Sequence, residues 1–181
     1  LLAEALSVPF GTMLDLGTGT GCLGVSLLAE RGDAQGVAID ISAEALAVAR
    51  RNAVRHGVEA RLTCIQSDWL DQVSGTFDLI VSNPPYITEA VFATLAPEVR
   101  EYEPKTALTP GGDGLEPYRI LCAQTPAYLV PGGWLMVEIG YDQGPAVAAL
   151  MQGAGLHHVT VVADLSGHDR VVRGQRAPLA L

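Results

Sequence analysis

Gly17-Thr18-Gly19-Thr20-Gly21 constrains the fold more than any other stretch of this chain. The apolar run Met13-Leu14-Asp15-Leu16 leads into it, and Leu23, Val25, Leu27 and Leu28 follow at helical spacing. Strand, tight turn and helix in direct succession open a βαβ unit, which implies a parallel sheet with helices packed on it. Glycines at alternate positions let the backbone turn sharply and approach a ligand without a Cβ in the way, and the N-terminus of the following helix favours negative charge. Read literally, Gly19-Thr20-Gly21-Cys22-Leu23-Gly24 also satisfies the G-x-G-x-x-G dinucleotide pattern, so nicotinamide and flavin enzymes stay in play.

Later strand ends narrow the choice. Val37-Ala38-Ile39-Asp40 ends in an acid about twenty residues past the glycine turn, where a carboxylate can grip a ribose diol. Asp40 equally suits a helix N-terminus, beside Ser42 as the cap. A third strand, residues 61–66, ends at Ser67-Asp68-Trp69-Leu70. The acid and the indole there fit an adenine amino group and ring face, or the indole closes the edge of a core.

The apolar run Phe77-Asp78-Leu79-Ile80-Val81-Ser82 reads as a buried parallel strand and exits into Asn83-Pro84-Pro85-Tyr86. Two prolines hold Asn83 and Pro84 extended and remove two N–H donors. What remains is a stiff exit offering two acceptors, the Asn83 side-chain oxygen and the Pro84 carbonyl. That pair suits a planar NH2 group, and Tyr86 can lie against such a group. Alone, the tetrapeptide would read as an Asn-Pro turn. Together, four such strand ends would line one crevice at the carboxyl edge of a parallel sheet.

On these residues the chain resembles class I S-adenosylmethionine-dependent methyltransferases, and within them the protein-(glutamine-N5) methyltransferases that modify peptide chain release factors. The resemblance runs from about Thr12 to Gly174. It rests on Asp15 to Gly21, Ser67-Asp68-Trp69, Ile80 to Ile87, Glu103-Pro104, Gly112-Asp113-Gly114-Leu115, Pro131-Gly132-Gly133, Glu138-Ile139-Gly140 and Gly167 to Val172. It implies a Rossmann-like α/β fold, a mostly parallel seven-stranded sheet with helices on both faces and a C-terminal antiparallel hairpin. It also implies S-adenosyl-L-methionine as cofactor, with S-adenosyl-L-homocysteine as product. Gly17, Thr18, Gly19 and Gly21 would then surround the methionine part with Asp15 nearby, Asp40 would hold the ribose, and Asp68 with Trp69 the adenine. Asn83 would adjoin the cofactor and, with Pro84, Pro85 and Tyr86, bind the substrate amide; Asn83, Pro84 and Tyr86 would be catalytic. Family members carry a small N-terminal helical domain, and Leu1-Leu2-Ala3-Glu4 stands too close to the first strand to include it. Residues 1–181 are therefore expected to form a single catalytic domain.

The chain has 181 residues, enough for one sizeable core, with a formal net charge of −9 and Lys105 as its one lysine. Nucleic-acid binding needs clustered Lys and Arg, so no nucleic-acid partner is expected; a release factor as protein partner is what the resemblance implies. No apolar run approaches a membrane span of about 18 residues, and no basic region precedes an apolar run near Leu1. Cys22, Cys64 and Cys122 are scattered and odd in number, which points to reduced thiols acting as small core residues in a cytoplasmic protein. His56, His157, His158 and His168 lack ligand spacing, and adjacent His157 and His158 would fall on opposite strand faces, so no metal is expected.

Further along, Ser42 is expected to cap a helix through Leu46, Ala49, Ala53 and Val54 that ends at Gly57. Residues 87–114 carry Pro97, Pro104 and Pro110 and a short helix near Glu89 to Leu95; an irregular segment of that length suggests a lid or binding loop. Leu115 to Leu129 reads as a helix, Pro131-Gly132-Gly133 as a turn and Trp134 to Ile139 as the fifth strand. A helix from Pro145 to Met151 and two antiparallel strands, residues 156–162 and 168–173, complete the chain.

Asn-Pro-Pro-Tyr specifies a planar conjugated NH2, not its parent molecule. A glutamine side chain, an N6-adenine or an N2-guanine all qualify, and a non-catalytic module that keeps the fold is a further alternative. A dehydrogenase would want a Tyr-x-x-x-Lys pair, which a chain with one lysine lacks.

Overall fold

The computed structural model describes residues 1–96 and 108–179. Pro97, Pro104, Lys105 and the acids Glu98, Glu101 and Glu103 lie outside the described residues. Among those described, the elements run α1 (Leu2–Leu6), β1 (Thr12–Leu16), α2 (Cys22–Glu30), β2 (Gln35–Asp40), α3 (Ala43–Arg55), β3 (Leu62–Gln66), β4 (Phe77–Ser82) and α4 (Glu89–Phe92). After these come α5 (Glu116–Gln124), a 3-10 turn (Thr125–Tyr128), β5 (Leu129–Glu138), α6 (Gly144–Gly153), β6 (His157–Ala163) and β7 (Asp169–Gln175).

The seven strands form one sheet in the order β3-β2-β1-β4-β5-β7-β6. The five strands from β3 to β5 are parallel, and β7 pairs antiparallel with both β5 and β6. The expected mostly parallel sheet with a terminal hairpin is therefore present. Strand order reverses between β1 and β4, the position where open α/β sheets leave a crevice beyond the strand ends.

Both faces are buried, and the period-two alternation sorts side chains between them. Leu14, Leu16, Ile80, Leu135 and Val137 pack on one side with Tyr118, Leu121 and Cys122 of α5 and Val147 and Met151 of α6. Met13, Leu79, Val81 and Met136 pack on the other with Ala5 of α1, Val25, Leu27 and Leu28 of α2 and Ala53 of α3. Each fully buried Leu or Met contributes roughly 1.5–3 kcal/mol through loss of apolar contact with water. Ser42 caps α3 as expected, its Oγ accepting from Ala45 N at 3.1 Å. Proline stands in the first turn of both α5 and α6, where its missing N–H costs no helical bond. No helix among the described residues is long and apolar enough to cross a membrane.

Several expected details differ. The helix read over residues 115–129 stops at Gln124 and tightens into a 3-10 turn, because Pro126 has no N–H with which to continue the α-helical ladder. Strand β5 begins at Leu129, so Pro131-Gly132-Gly133 is an irregularity within the strand, where the pairing with β4 shifts register between Phe77 and Leu79. Gly133 presses on β4 there: a Cβ would lie 3.0 Å from the Phe77 carbonyl oxygen. His157 and His158 do not alternate on a regular strand, since His158 has φ +50° at a bulge and both are exposed. Of the cysteines only Cys122 is buried; Cys22 is exposed at the start of α2 and Cys64 is half-buried. Val54 is 63% exposed on the outer face of α3.

Candidate active site

Leu16 pairs with Ile39 on one side and Ser82 on the other, so β1, β2 and β4 end together. The glycine turn springs from this edge. Thr18 N donates to Ile39 O at 2.9 Å, and Gly21 N closes the turn onto Thr18 O at 2.9 Å. Gly17, Gly19 and Gly21 have φ of +68°, +56° and +80°, a region that costs a side-chain-bearing residue roughly 1–2 kcal/mol. They have different surroundings. A Cβ on Gly17 or Gly19 would point into open space, whereas one on Gly21 would lie 2.9 Å from Ala49 Cβ. The turn is thus seated on α3 at Gly21 and free to receive a ligand at Gly17 and Gly19. Asn52, also on α3, adds a bond from its Nδ2 to Thr20 O at 2.8 Å.

Asp40 joins the turn directly. Its Oδ2 accepts from Gly19 N at 2.8 Å and its Oδ1 from Ser42 N at 2.9 Å. A carboxylate has about four acceptor positions, so roughly two remain for a further donor pair. The carboxylate therefore serves as helix-terminal acid and turn clamp while keeping room for a diol.

Asp15 is 2% exposed, and its Oδ2 accepts from Thr18 Oγ1 at 2.6 Å and Gly24 N at 2.9 Å. Burial raises its pKa to about 6; the Thr18 and Gly24 bonds pull the other way, and the nearby Asp40 carboxylate adds to the rise. The ordinary value is 3.8, so the folded form holds this proton more tightly than the unfolded chain does. The resulting stability is fully present below about pH 4 and is lost as pH rises through 6. At neutral pH the ionised buried carboxylate costs on the order of 3 kcal/mol. Asp15→Asn, which keeps an acceptor for Thr18 and Gly24, should raise the melting temperature at pH 8 by several degrees, with the gain shrinking as pH falls below 6. A constant difference from pH 5 to pH 8 in thermal unfolding would exclude this account.

The β3 exit lies one strand further out, linked through Ser67 N donating to Asp40 O at 3.1 Å. Asp68 is exposed, while Trp69 is half-buried with φ +46° and packs against the larger core cluster. Closing the core edge is thus one role of this indole. Among the described residues no hydrogen bond joins Asp68 or Trp69 to the glycine turn.

On the other side of β1, Ser82 Oγ donates to Leu16 O at 2.8 Å and ties the two strand ends together. Asn83 is exposed, Pro84 buried, and Pro85 and Tyr86 half-buried. These four residues, Ile87 and Leu108 line an open pocket of about 150 Å³. Beneath it stands a residue that sequence reasoning missed. Gln143 is 6% exposed, and its Nε2 donates to Tyr86 O at 3.1 Å and towards Gly114 O at 3.4 Å. Its Oε1 accepts from Gly140 N at 2.9 Å. Gly112 to Leu115 and Glu138 to Gly140 carried the family resemblance without an assigned role; here they brace the proline-rich exit. A solitary glutamine has no periodicity to betray it.

The sequence model of the methyltransferase small domain family matches residues 1–113. Two curated relatives are release factor glutamine methyltransferases: that of Cereibacter sphaeroides is 55% identical over 99% of this chain, and that of Caulobacter vibrioides 52% identical over 93%. The chain spans 64% and 58% of their respective lengths. Among solved structures, a methyltransferase from Pyrococcus furiosus superposes with a TM-score of 0.68 at 19% identity, covering 92% of this chain and 75% of that one. An RNA methyltransferase from Salinibacter ruber in complex with S-adenosyl-L-homocysteine gives 0.55 at 21% identity, covering 94% and 84%. The fold is that of the class I methyltransferases, and with the family's sequence model matching well over half its length the chain belongs to the methyltransferase small domain family.

Proposed function

We propose that this domain transfers a methyl group from S-adenosyl-L-methionine to the side-chain amide nitrogen of a glutamine in a peptide chain release factor. The observation that supports it most is the placement of Asn83-Pro84-Pro85-Tyr86 after β4, the strand paired with β1, whose own end carries the glycine turn, at the point where strand order reverses. Two curated relatives more than 50% identical to this chain bear that activity in their names.

The residues present fit the cofactor. Open space off Gly17 and Gly19 leaves the backbone free for close approach, and Asp40 retains acceptor capacity towards a ribose. Gly17, Thr18, Gly19 and Gly21 with Asp15 would hold the methionine part, and Asp68 with Trp69 the adenine. When bound, the cofactor supplies an electrophilic methyl carbon on a sulfonium.

An amide nitrogen shares its lone pair with its carbonyl, and the roughly 18–20 kcal/mol barrier to peptide rotation shows the scale of that conjugation. The Asn83 side-chain oxygen and the Pro84 carbonyl would accept the two N–H hydrogens and orient the lone pair, with Tyr86 against the amide plane. Both bonds strengthen as the nitrogen gains positive character during attack, so they favour the transition state over the resting amide. The proton leaves afterwards through an acceptor or water.

Arginine usage favours a protein acceptor over nucleic acid. Arg31 and Arg61 are spent on backbone carbonyls, and Arg119, Arg170 and Arg173 on carboxylates, so they form no open basic stripe. Reduced cysteines and a ribosomal factor as substrate fit a cytoplasmic setting. The test offers a release factor, duplex DNA and RNA side by side with methyl-labelled cofactor. One methyl on a glutamine of the factor is expected, and Asp40→Ala should weaken cofactor binding tenfold or more by calorimetry, about 1.4 kcal/mol. Label on nucleic acid and never on protein would overturn the reading.

A further inference from the structure

We infer that Gln143 is a positioning residue for methyl transfer: it does not touch the substrate, and it sets the place of the acceptor pair from behind. The inference rests on Asn83 and Pro84 being that pair.

Pro84 and Pro85 have no N–H, so nothing can hydrogen-bond to the nitrogens in the middle of the tetrapeptide. Its carbonyls are located by what holds the two ends. Upstream, Ser82 is fixed by its place in the sheet and by its Oγ bond to Leu16 O. Downstream, the fixed points are the Gln143 Nε2 bond to Tyr86 O and the Ile87 N bond to Leu108 O, each 3.1 Å. Gln143 comes from the N-terminal boundary of α6, so it couples the catalytic exit to an element packed in the main core.

The amide cannot serve equally well turned over. Gly140 N is a donor and must face Oε1, which leaves Nε2 for the two carbonyls of Tyr86 and Gly114. The Tyr118 hydroxyl, spent on Glu138 O at 2.8 Å, lies 3.4 Å from Oε1 and closes the pocket around it. Both amide hydrogens and the oxygen are thus used in a site shut off from water, which holds Tyr86 O in one place.

The test is Gln143→Met in the full chain, which keeps side-chain length and removes the amide. Turnover is measured with whichever acceptor the parent protein methylates, alongside cofactor affinity and hydrogen exchange. Turnover should fall on the order of 10–100-fold, the scale of an ångström-level misplacement of a catalytic group, with cofactor affinity within twofold of the parent. Exchange should quicken at residues 86–89 and stay unchanged at residues 15–21. Because the acceptor is chosen by the parent protein, methylation of nucleic acid would sink the proposed function and leave this assignment standing. Should Gln143→Met not fold, Gln143→Glu, which keeps the acceptor for Gly140 N, takes its place. Unaltered turnover, or exchange that quickens equally in the glycine turn with loss of cofactor affinity, would reduce Gln143 to a structural residue and overturn the inference.

Discussion

Asn83→Ala should lower the rate constant for methyl transfer by about 10²–10³-fold, the cost of removing one preorganised polar partner of a transition state. Cofactor affinity should hardly change. Asn83 is exposed at the exit of β4, and no hydrogen bond among the described residues depends on its side chain, so truncation leaves the fold intact. The oxygen that is lost would be one of only two acceptors for the amide hydrogens, and it matters most once those hydrogens become acidic. Truncation of Asp40 acts differently. Its carboxylate takes Gly19 N and Ser42 N, so Asp40→Ala loosens the glycine turn and the start of α3 and should show first in cofactor binding. Single-turnover kinetics and calorimetry on the two variants separate the roles. Equal loss of cofactor affinity in both would contradict the division.

The parts of the fold that were legible in advance are those where local chemistry and the tertiary structure agree. The glycine turn, Ser42 and Gly57 are punctuation whose meaning does not depend on distant residues. The Val37–Asp40 and Phe77–Ser82 runs could be placed because a strand buried on both faces is apolar nearly throughout. Pro131-Gly132-Gly133 misled for the opposite reason. The same three residues make a free turn or an irregular stretch of strand, and only the neighbouring Phe77 carbonyl, against which Gly133 is pressed, decides between them. Asp15 was singled out as a neighbour of a ligand; its bonds to Thr18 and Gly24 and its raised pKa follow from burial, which no local pattern reports. Asn52 and Gln143 were illegible on the same ground. Each is a polar residue whose carbonyl partners lie more than 25 residues away in sequence, at Thr20 and at Tyr86 and Gly114.

Gly114→Ala should be the most damaging single methyl group that can be added near the site. Gly114 has φ +74°, and a Cβ there would lie 2.5 Å from the Tyr86 carbonyl oxygen and 3.0 Å from Gln143 Nε2. The first atom belongs to the backbone and cannot swing aside, and the second is held by its own bonds. Left-handed strain of roughly 1–2 kcal/mol and overpacking of roughly 1–3 kcal/mol act together, so destabilisation of about 3–4 kcal/mol and a fall in melting temperature near 10 °C are expected. Movement of the Tyr86 peptide away from Gly114 relieves the contact, and it breaks the Gln143 bond and carries the Pro84 carbonyl with it. The surviving folded fraction should therefore bind cofactor normally and transfer methyl groups poorly, at most a tenth as fast as the parent. Gly112→Ala is the matched control, since Gly112 also has positive φ, at +55°, and a Cβ there would meet nothing within 4 Å. It should show the backbone strain alone, with a smaller drop in melting temperature and near-normal turnover. If thermal unfolding and methyl-transfer rates move together in the two variants, the close approach of Gly114 to Tyr86 is not what holds the acceptor pair in place.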